Sequence, residues 1–142
     1  METHHGGPTD DEMQWWSAHE TAAAIRSGWV SQLEVVDAAI MRIERLDPLL
    51  GAVVIPLFER ARERAVGEVR DGPVQVFRGV PMLLKDAGEE LHGTPHWVGT
   101  QGLKRAGHRS ATTTQLARRF EELGFVVVGK SACPELSAGS TT

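Results

Sequence analysis

Lys85 has the residue type and the position that best suit proton-transfer chemistry. It follows directly on Met82-Leu83-Leu84, an apolar stretch that predicts a buried strand, so its amine falls at the carboxyl end of that strand. Open α/β sheets bind their ligands at this end. Loss of solvent there disfavours an ammonium ion and leaves a neutral amine that accepts a proton. Spacing alone favours the alternative, in which Lys85 reaches solvent or pairs with Asp86.

The segment Gly124 to Ser131 has the letters of a phosphate-binding P-loop, Gly-x-x-x-x-Gly-Lys-Ser. In a P-loop the four x residues form an open loop after a strand, whereas here they are Phe-Val-Val-Val, a β-prone run that follows a helical pattern. Pro134 also follows too closely for a helix to start at Lys130. Nucleotide binding is therefore the least favoured function.

The other chemistry-bearing side chains predict neither a metal site nor a nucleophile. His92 and His96 have the spacing of a helical zinc pair, but Gly93 and Pro95 lie between them, so we interpret both as loop histidines in solvent. Cys133 is the single cysteine, and we expect a small buried or half-buried thiol there. We expect no cofactor and no metal.

Two capping signals define the first helices. Ser17 to Glu20 and Ser31 to Glu34 have the Ser-x-x-Glu spacing of a capping box. They predict one helix over 18–27, stopped by Gly28, and a second, amphipathic helix that ends at Asp47-Pro48.

The rest of the pattern predicts a strand–helix–strand unit. Such an order implies a parallel pair of strands joined by a crossover helix. The expected elements are a β-prone run at 52–55, a charged helix at 57–70, a strand at 80–84, a loop at 87–109, a helix at 112–123 and a strand at 125–128.

Length and composition restrict the class of protein. With 142 residues there is room for one core, which we place in 15–142 after a flexible leader, 1–14. A net charge of −4 without a basic block argues against nucleic-acid binding. No apolar run approaches the roughly 20 residues of a membrane span, and the first residues lack the features of a signal peptide. We therefore expect a cytoplasmic protein that does not contact a membrane.

The segment Phe77 to Asp86, which reads F-R-G-V-P-M-L-L-K-D, resembles the G-V-P-x-x-x-K-D segment of the amidase signature family, the Ser-cisSer-Lys amidohydrolases. The resemblance continues in order along the chain. Further similar segments are Gly93-Thr94-Pro95 with Gly99-Thr100 (family G-x-P-x-x-x-G-S/T), Leu123 to Ser131 (A-G-A-V-V-L-G-K-T), Pro134-Glu135-Leu136 (P/D-E-F) and Gly139-Ser140-Thr141 (G-x-T). An ordered series of this kind is far more specific than any one segment.

This resemblance implies hydrolysis or transfer at the carbonyl of a small-molecule amide. The family's nucleophilic serine is activated through a second serine, held by a cis peptide, and a neutral lysine that corresponds to Lys85 deprotonates the second serine. Asp86 would orient neighbouring loops or act as a capping carboxylate. The implied fold class is α/β, with N-terminal helices and a βαβ unit of a mixed sheet, an incomplete piece of the amidase signature fold. The substrate-binding residues stay unassigned.

Both serine-bearing segments of the family are expected after Thr142, and no serine of this chain lies in such a glycine-rich turn. We therefore expect residues 15–142 to be the N-terminal part of an amidase domain, truncated before the serine-rich segment and inactive alone. A non-catalytic remnant that acts by association is the alternative. An incomplete sheet also predicts an exposed apolar edge at Phe125 to Val128 and self-association through it.

Overall fold

The computed structural model of the protein describes residues 7–67 and 74–141. Its elements follow the order expected from the sequence, with additional short helices. In chain order they are α1 (Asp10–Met13), α2 (Ala18–Arg26), α3 (Gln32–Leu50), β1 (Val53–Pro56), α4 (Phe58–Val66), β2 (Pro81–Lys85), α5 (Gln101–Arg105), α6 (Gln115–Glu122) and β3 (Val126–Ser131). A 3₁₀ turn, Glu135–Ser137, follows β3.

Helices α2 and α3 begin at the capping boxes that the sequence predicts. Helix α1 begins at a third box, formed by Thr9 and Glu12, inside the stretch expected to be a flexible leader. Its Asp10 pairs with Arg42 of α3, so this part of the leader is folded onto the helical layer. The Thr-x-x-Glu spacing indicates a helix start in the same way as the Ser-x-x-Glu spacing of the other two boxes. Residues 1–6 lie outside the described ranges.

The predicted end of α3 at Asp47-Pro48 is wrong, because the helix continues to Leu50 with Pro48 inside it. It ends instead at Gly51, which has a left-handed φ of 61° and donates its N–H to the Asp47 carbonyl at 2.8 Å. The Asp47 carboxylate also accepts from the backbone of Ala52 at 2.7 Å. Helix α4 is shorter than predicted, and part of its predicted C-terminal end lies outside the described residues.

The three strands form a mixed sheet in the order β1-β3-β2. Strands β2 and β3 are parallel with α6 between them in the chain, which confirms the predicted βαβ unit, and β1 pairs antiparallel with β3. The sequence prediction of an exposed edge at Phe125 to Val128 is wrong, because β3 is the central strand and Val126, Val127 and Val128 are all buried. The open edges belong to β1 and β2.

The central strand β3 is covered by a layer on each face, which is why it contains three consecutive buried valines. On one face α3 and α4 pack on the sheet, and on the other α6 and the preceding loop do so. The first cluster contains Val36, Ile40, Ala61, Ala65, Val126 and Val128, and the second contains Leu84, Leu91, Ala117 and Val127. Across the described ranges, no helix has the length and apolar character that crossing a bilayer requires.

Candidate functional site

Lys85 is the last residue of β2, at the carboxyl end of the parallel pair, as the sequence predicts. The residue is exposed, and its Nζ donates to the carbonyl of Ala132, just beyond β3, at 2.6 Å. The backbone N–H of Asp86 donates to Ser131 O at 3.0 Å, which extends the strand pairing past Lys85. The amine is therefore held at the end of the sheet and remains open to solvent.

Asp86 is directed into the protein and does not form the surface pair with Lys85 that spacing alone allowed. Its side chain is 1% exposed, and its carboxylate accepts the backbone N–H of Trp97 at 3.1 and 3.3 Å. Since consecutive residues of extended backbone point to opposite faces, the side chains of Lys85 and Asp86 lie on different sides of the sheet. This contact to Trp97 N fits both expectations for Asp86, a residue that orients a neighbouring loop and a capping carboxylate.

His96 is buried, so its interpretation as a solvent histidine is wrong, whereas His92 is exposed as expected. The Nδ1 atom of His96 lies 3.3 Å from Asp86 Oδ1, without hydrogen-bond geometry. Burial lowers the pKa of His96, and the charge of Lys130 lowers it further, against the opposing effect of Asp86. His96 thus packs beside a buried carboxylate in surroundings that favour the neutral imidazole.

Lys130 is a buried charged residue whose burial the sequence analysis did not predict. It is fully buried in β3, and its Nζ donates to the carbonyl of Pro95 at 2.7 Å. Burial lowers its pKa, partly offset by the carboxylates of Asp86, Glu90 and Glu89. In the sequence, Lys130 follows an apolar run, and a strand of this kind is covered on both faces, so burial of this lysine could have been expected.

The P-loop letters form no phosphate cradle in this fold. Gly129, Lys130 and Ser131 lie within β3, paired with β1 and β2, and the preceding valines are buried. The amine of Lys130 is directed to Pro95 O rather than to an open loop. Cys133 is buried as predicted, with its Sγ 3.1 Å from Asp86 O. Within the two described ranges, no group of three His, Cys, Asp or Glu residues has a metal-binding arrangement.

The free energy of unfolding is expected to rise with pH in the alkaline range because of Lys130. Its folded pKa lies below the ordinary value of about 10.4, so between the two values the unfolded chain binds more protons than the folded chain. Stability therefore increases with pH across that window, and below it the slope vanishes. Urea denaturation at a series of pH values measures the slope, which Lys130→Met should remove. Equal slopes in the two proteins would contradict this assignment.

Comparisons with known proteins agree with the fold and identify the family. The family model described as Amidase matches residues 34–142. The 6-aminohexanoate-cyclic-dimer hydrolase of Paenarthrobacter ureafaciens is 36% identical over 128 residues, which cover 90% of this chain and 25% of that protein. The structure of a 6-aminohexanoate cyclic dimer hydrolase complexed with substrate superposes with a TM-score of 0.77 at 34% identity, covering 86% of this chain and 24% of that one.

A solved bacterial aryl acylamidase, described as an amidase signature enzyme, superposes with a TM-score of 0.75 at 30% identity and covers 86% of this chain and 26% of its own. The chain thus spans about a quarter of the length of the relatives that it matches. The family model covers most of the chain, including β2, β3 and the segments around Lys85. This chain therefore belongs to the amidase family, the amidase signature enzymes.

Proposed function

We propose that this chain forms the N-terminal part of an amide-hydrolysing site in which Lys85 is the general base. The observation that carries the proposal is the placement of Lys85 at the carboxyl end of a parallel strand, exposed and held by Ala132 O at 2.6 Å, in a chain of the amidase family. A lysine amine in this place accepts a proton once the remainder of the site excludes water from it.

In the proposed reaction a serine oxygen attacks the amide carbonyl carbon and forms a tetrahedral intermediate. The serine proton passes through a second serine to the Lys85 amine, and a proton then returns to the nitrogen of the leaving amine as the C–N bond breaks. Water hydrolyses the acyl-enzyme by the same route. Both serines belong to a part of the amidase fold that these 142 residues do not contain.

A carboxylic amide of low molecular weight is the proposed substrate class. The relatives' names describe a cyclic dimer of 6-aminohexanoate and an aryl acylamide, whose common feature is a carboxamide C–N bond. The residues that distinguish such substrates are proposed to lie mainly in the remainder of the fold, so this chain contributes the base and not the choice of amide.

A chimera tests this function directly. The matching N-terminal segment of the P. ureafaciens hydrolase is replaced by this chain, and release of amine from the 6-aminohexanoate cyclic dimer is measured. We expect activity from the chimera and none above the uncatalysed rate from the 142-residue chain alone. Hydrolysis by the isolated chain that depends on Lys85 would contradict the proposed division of the site.

The open side of β2 supports association with the remainder of an amidase fold. Between α3 and the sheet lies an apolar groove of about 460 Å³, lined in part by Ile43, Leu46 and Met82 together with the exposed Leu83 of β2. The relatives are about four times as long as this chain. We propose that the part of the amidase fold outside the matched segment packs on this surface. A second copy of the chain would use the same surface when that part is absent.

Leu83→Glu is therefore expected to shift the isolated chain from an associated state towards the monomer, because the carboxylate opposes burial of the β2 edge. Light scattering across a range of concentrations measures the change. Leu116→Glu on α6 is the matched control, since Leu116 is also exposed and lies away from the groove. A concentration-independent monomer before substitution would contradict self-association.

A further inference from the structure

Two segments near the amine of Lys85 contain left-handed residues that are not glycine. Val98 has a φ of 49°, and Leu136 has a φ of 51°. This conformation is costly, above all for a β-branched side chain, and persists only where the surroundings enforce it. The two residues are joined, because Leu136 donates its N–H to Val98 O at 2.8 Å. The strain therefore lies at a contact between the loop after β2 and the segment after β3.

Gly99 shows how closely these two segments approach each other. A Cβ atom on Gly99 would lie 2.5 Å from Cys133 O and 2.7 Å from Pro134 O. Those carbonyls belong to the residues directly after Ala132, whose own carbonyl accepts from Lys85 Nζ. The Ala132 N–H is itself held by the carbonyl of Ala52 at 2.8 Å, and the loop at Val98 and Gly99 limits the path of the backbone on the other side of the Ala132 carbonyl.

The same loop is fixed to the strand ends on its other side by two buried charged residues. The ammonium of Lys130 donates to Pro95 O at 2.7 Å, and the carboxylate of Asp86 accepts from Trp97 N at 3.1 Å. Both contacts fall just before Val98. The buried amine therefore holds one end of a loop whose other end packs against the backbone that directly follows Ala132, the acceptor of Lys85.

We propose that Lys130 is a positioning residue for Lys85, holding the loop of Pro95 to Gly99 so that the carbonyl of Ala132 stays against the lysine amine. This inference rests on the proposed function, since it assigns Lys130 a role in preparing the general base. A buried ammonium is costly, and a well-packed apolar side chain is often neutral or stabilising in its place. The proposed role of the buried charge is therefore in the geometry of the loop and not in the stability of the fold.

The reactivity of the Lys85 amine in the chain itself tests the proposal. Trace acetylation followed by peptide mass spectrometry gives the rate at Lys85, relative to an added acetyl-lysine amide. Lys130→Met keeps an unbranched side chain but removes the donor, and we expect Lys85 to react about three- to tenfold faster, the equivalent of one net hydrogen bond. A merely structural Lys130 would change the unfolding free energy but leave the native Lys85 rate unaltered, and that result would overturn the proposal.

A pair of glycine variants examines the same contacts without altering Lys130. Gly99→Ala should release Lys85 to a similar extent, because the added methyl group displaces the backbone after Ala132. Gly107→Ala is the matched control, with a similar left-handed φ of 64° and no neighbouring atom within 4 Å of its Cβ. If Lys130→Met does not fold, equal Lys85 rates in the two glycine variants overturn the proposal. If the chimera is inactive but Lys85 reacts faster in Lys130→Met than in the unaltered chain, only the proposed function is contradicted.

Discussion

Lys85→Met is expected to lower amide hydrolysis by the active chimera about 10²- to 10⁴-fold, the usual contribution of a positioned general base. The methionine side chain preserves much of the lysine volume but has no amine to accept the serine proton. The loss should appear in kcat more than in KM, because the base acts in the transition state and not in substrate binding. Steady-state release of amine from the cyclic dimer measures both constants.

Lys85→Arg separates proton transfer from charge. A guanidinium keeps the positive charge and the donor to Ala132 O, but it does not lose its proton in proteins, so this variant should be as inactive as Lys85→Met. Arg118→Met is the control, because Arg118 is exposed on α6, away from the end of β2. Retention of activity by either Lys85 variant would refute its role as the base.

Gly124→Ala is expected to destabilise the folded chain by about 2–5 kcal/mol. Gly124 has a φ of 99°, and its added Cβ would lie 2.7 Å from the backbone Cα of Arg78. The left-handed conformation costs an alanine roughly 1–2 kcal/mol, and forced backbone displacement typically adds about 1–3 kcal/mol. Since small domains have only about 5–15 kcal/mol of stability in all, urea denaturation should show a large fall in the midpoint.

Gly88→Ala provides the comparison that isolates the close approach. Its φ is 82°, also left-handed, but nothing lies within 4 Å of the position of its Cβ. It should therefore cost only the conformational part, roughly 1–2 kcal/mol. Equal losses at Gly88 and Gly124 would show that the backbone contact to Arg78 carries no energy of its own. Gly79 N donates to Gly124 O at 2.9 Å, so this contact also fixes the chain where it enters β2.

Local signals were sufficient for much of the fold. The capping boxes at Ser17 and Ser31 correctly predicted the starts of α2 and α3, because a cap is decided by residues three positions apart. Thr9 and Glu12 have the equivalent spacing, and their capping box starts α1. The predicted end of α3 at Pro48 was wrong. The helix end depended on Gly51 and the Asp47 carboxylate, which together bind the chain after Pro48.

The chimera and the Lys85 variants test the proposed role of Lys85 and the expected inactivity of the isolated chain. The family could be assigned from the sequence because an ordered series of segments can be compared without knowledge of side-chain contacts. The match to the family model and the shared fold confirm this assignment.

The sequence by itself determined the family, through its ordered series of similar segments. It also determined the βαβ unit and the place of Lys85 at the end of β2, since both depend on short-range patterns of apolar and glycine residues. Only the tertiary structure decided that β1 joins β3, which makes β3 central and leaves β1 and β2 as the edge strands. It also decided that Lys130 is buried against Pro95, a contact across 35 residues of chain. Burial of a charge depends on which distant segments cover it, and the residue type of a lysine carries no such information.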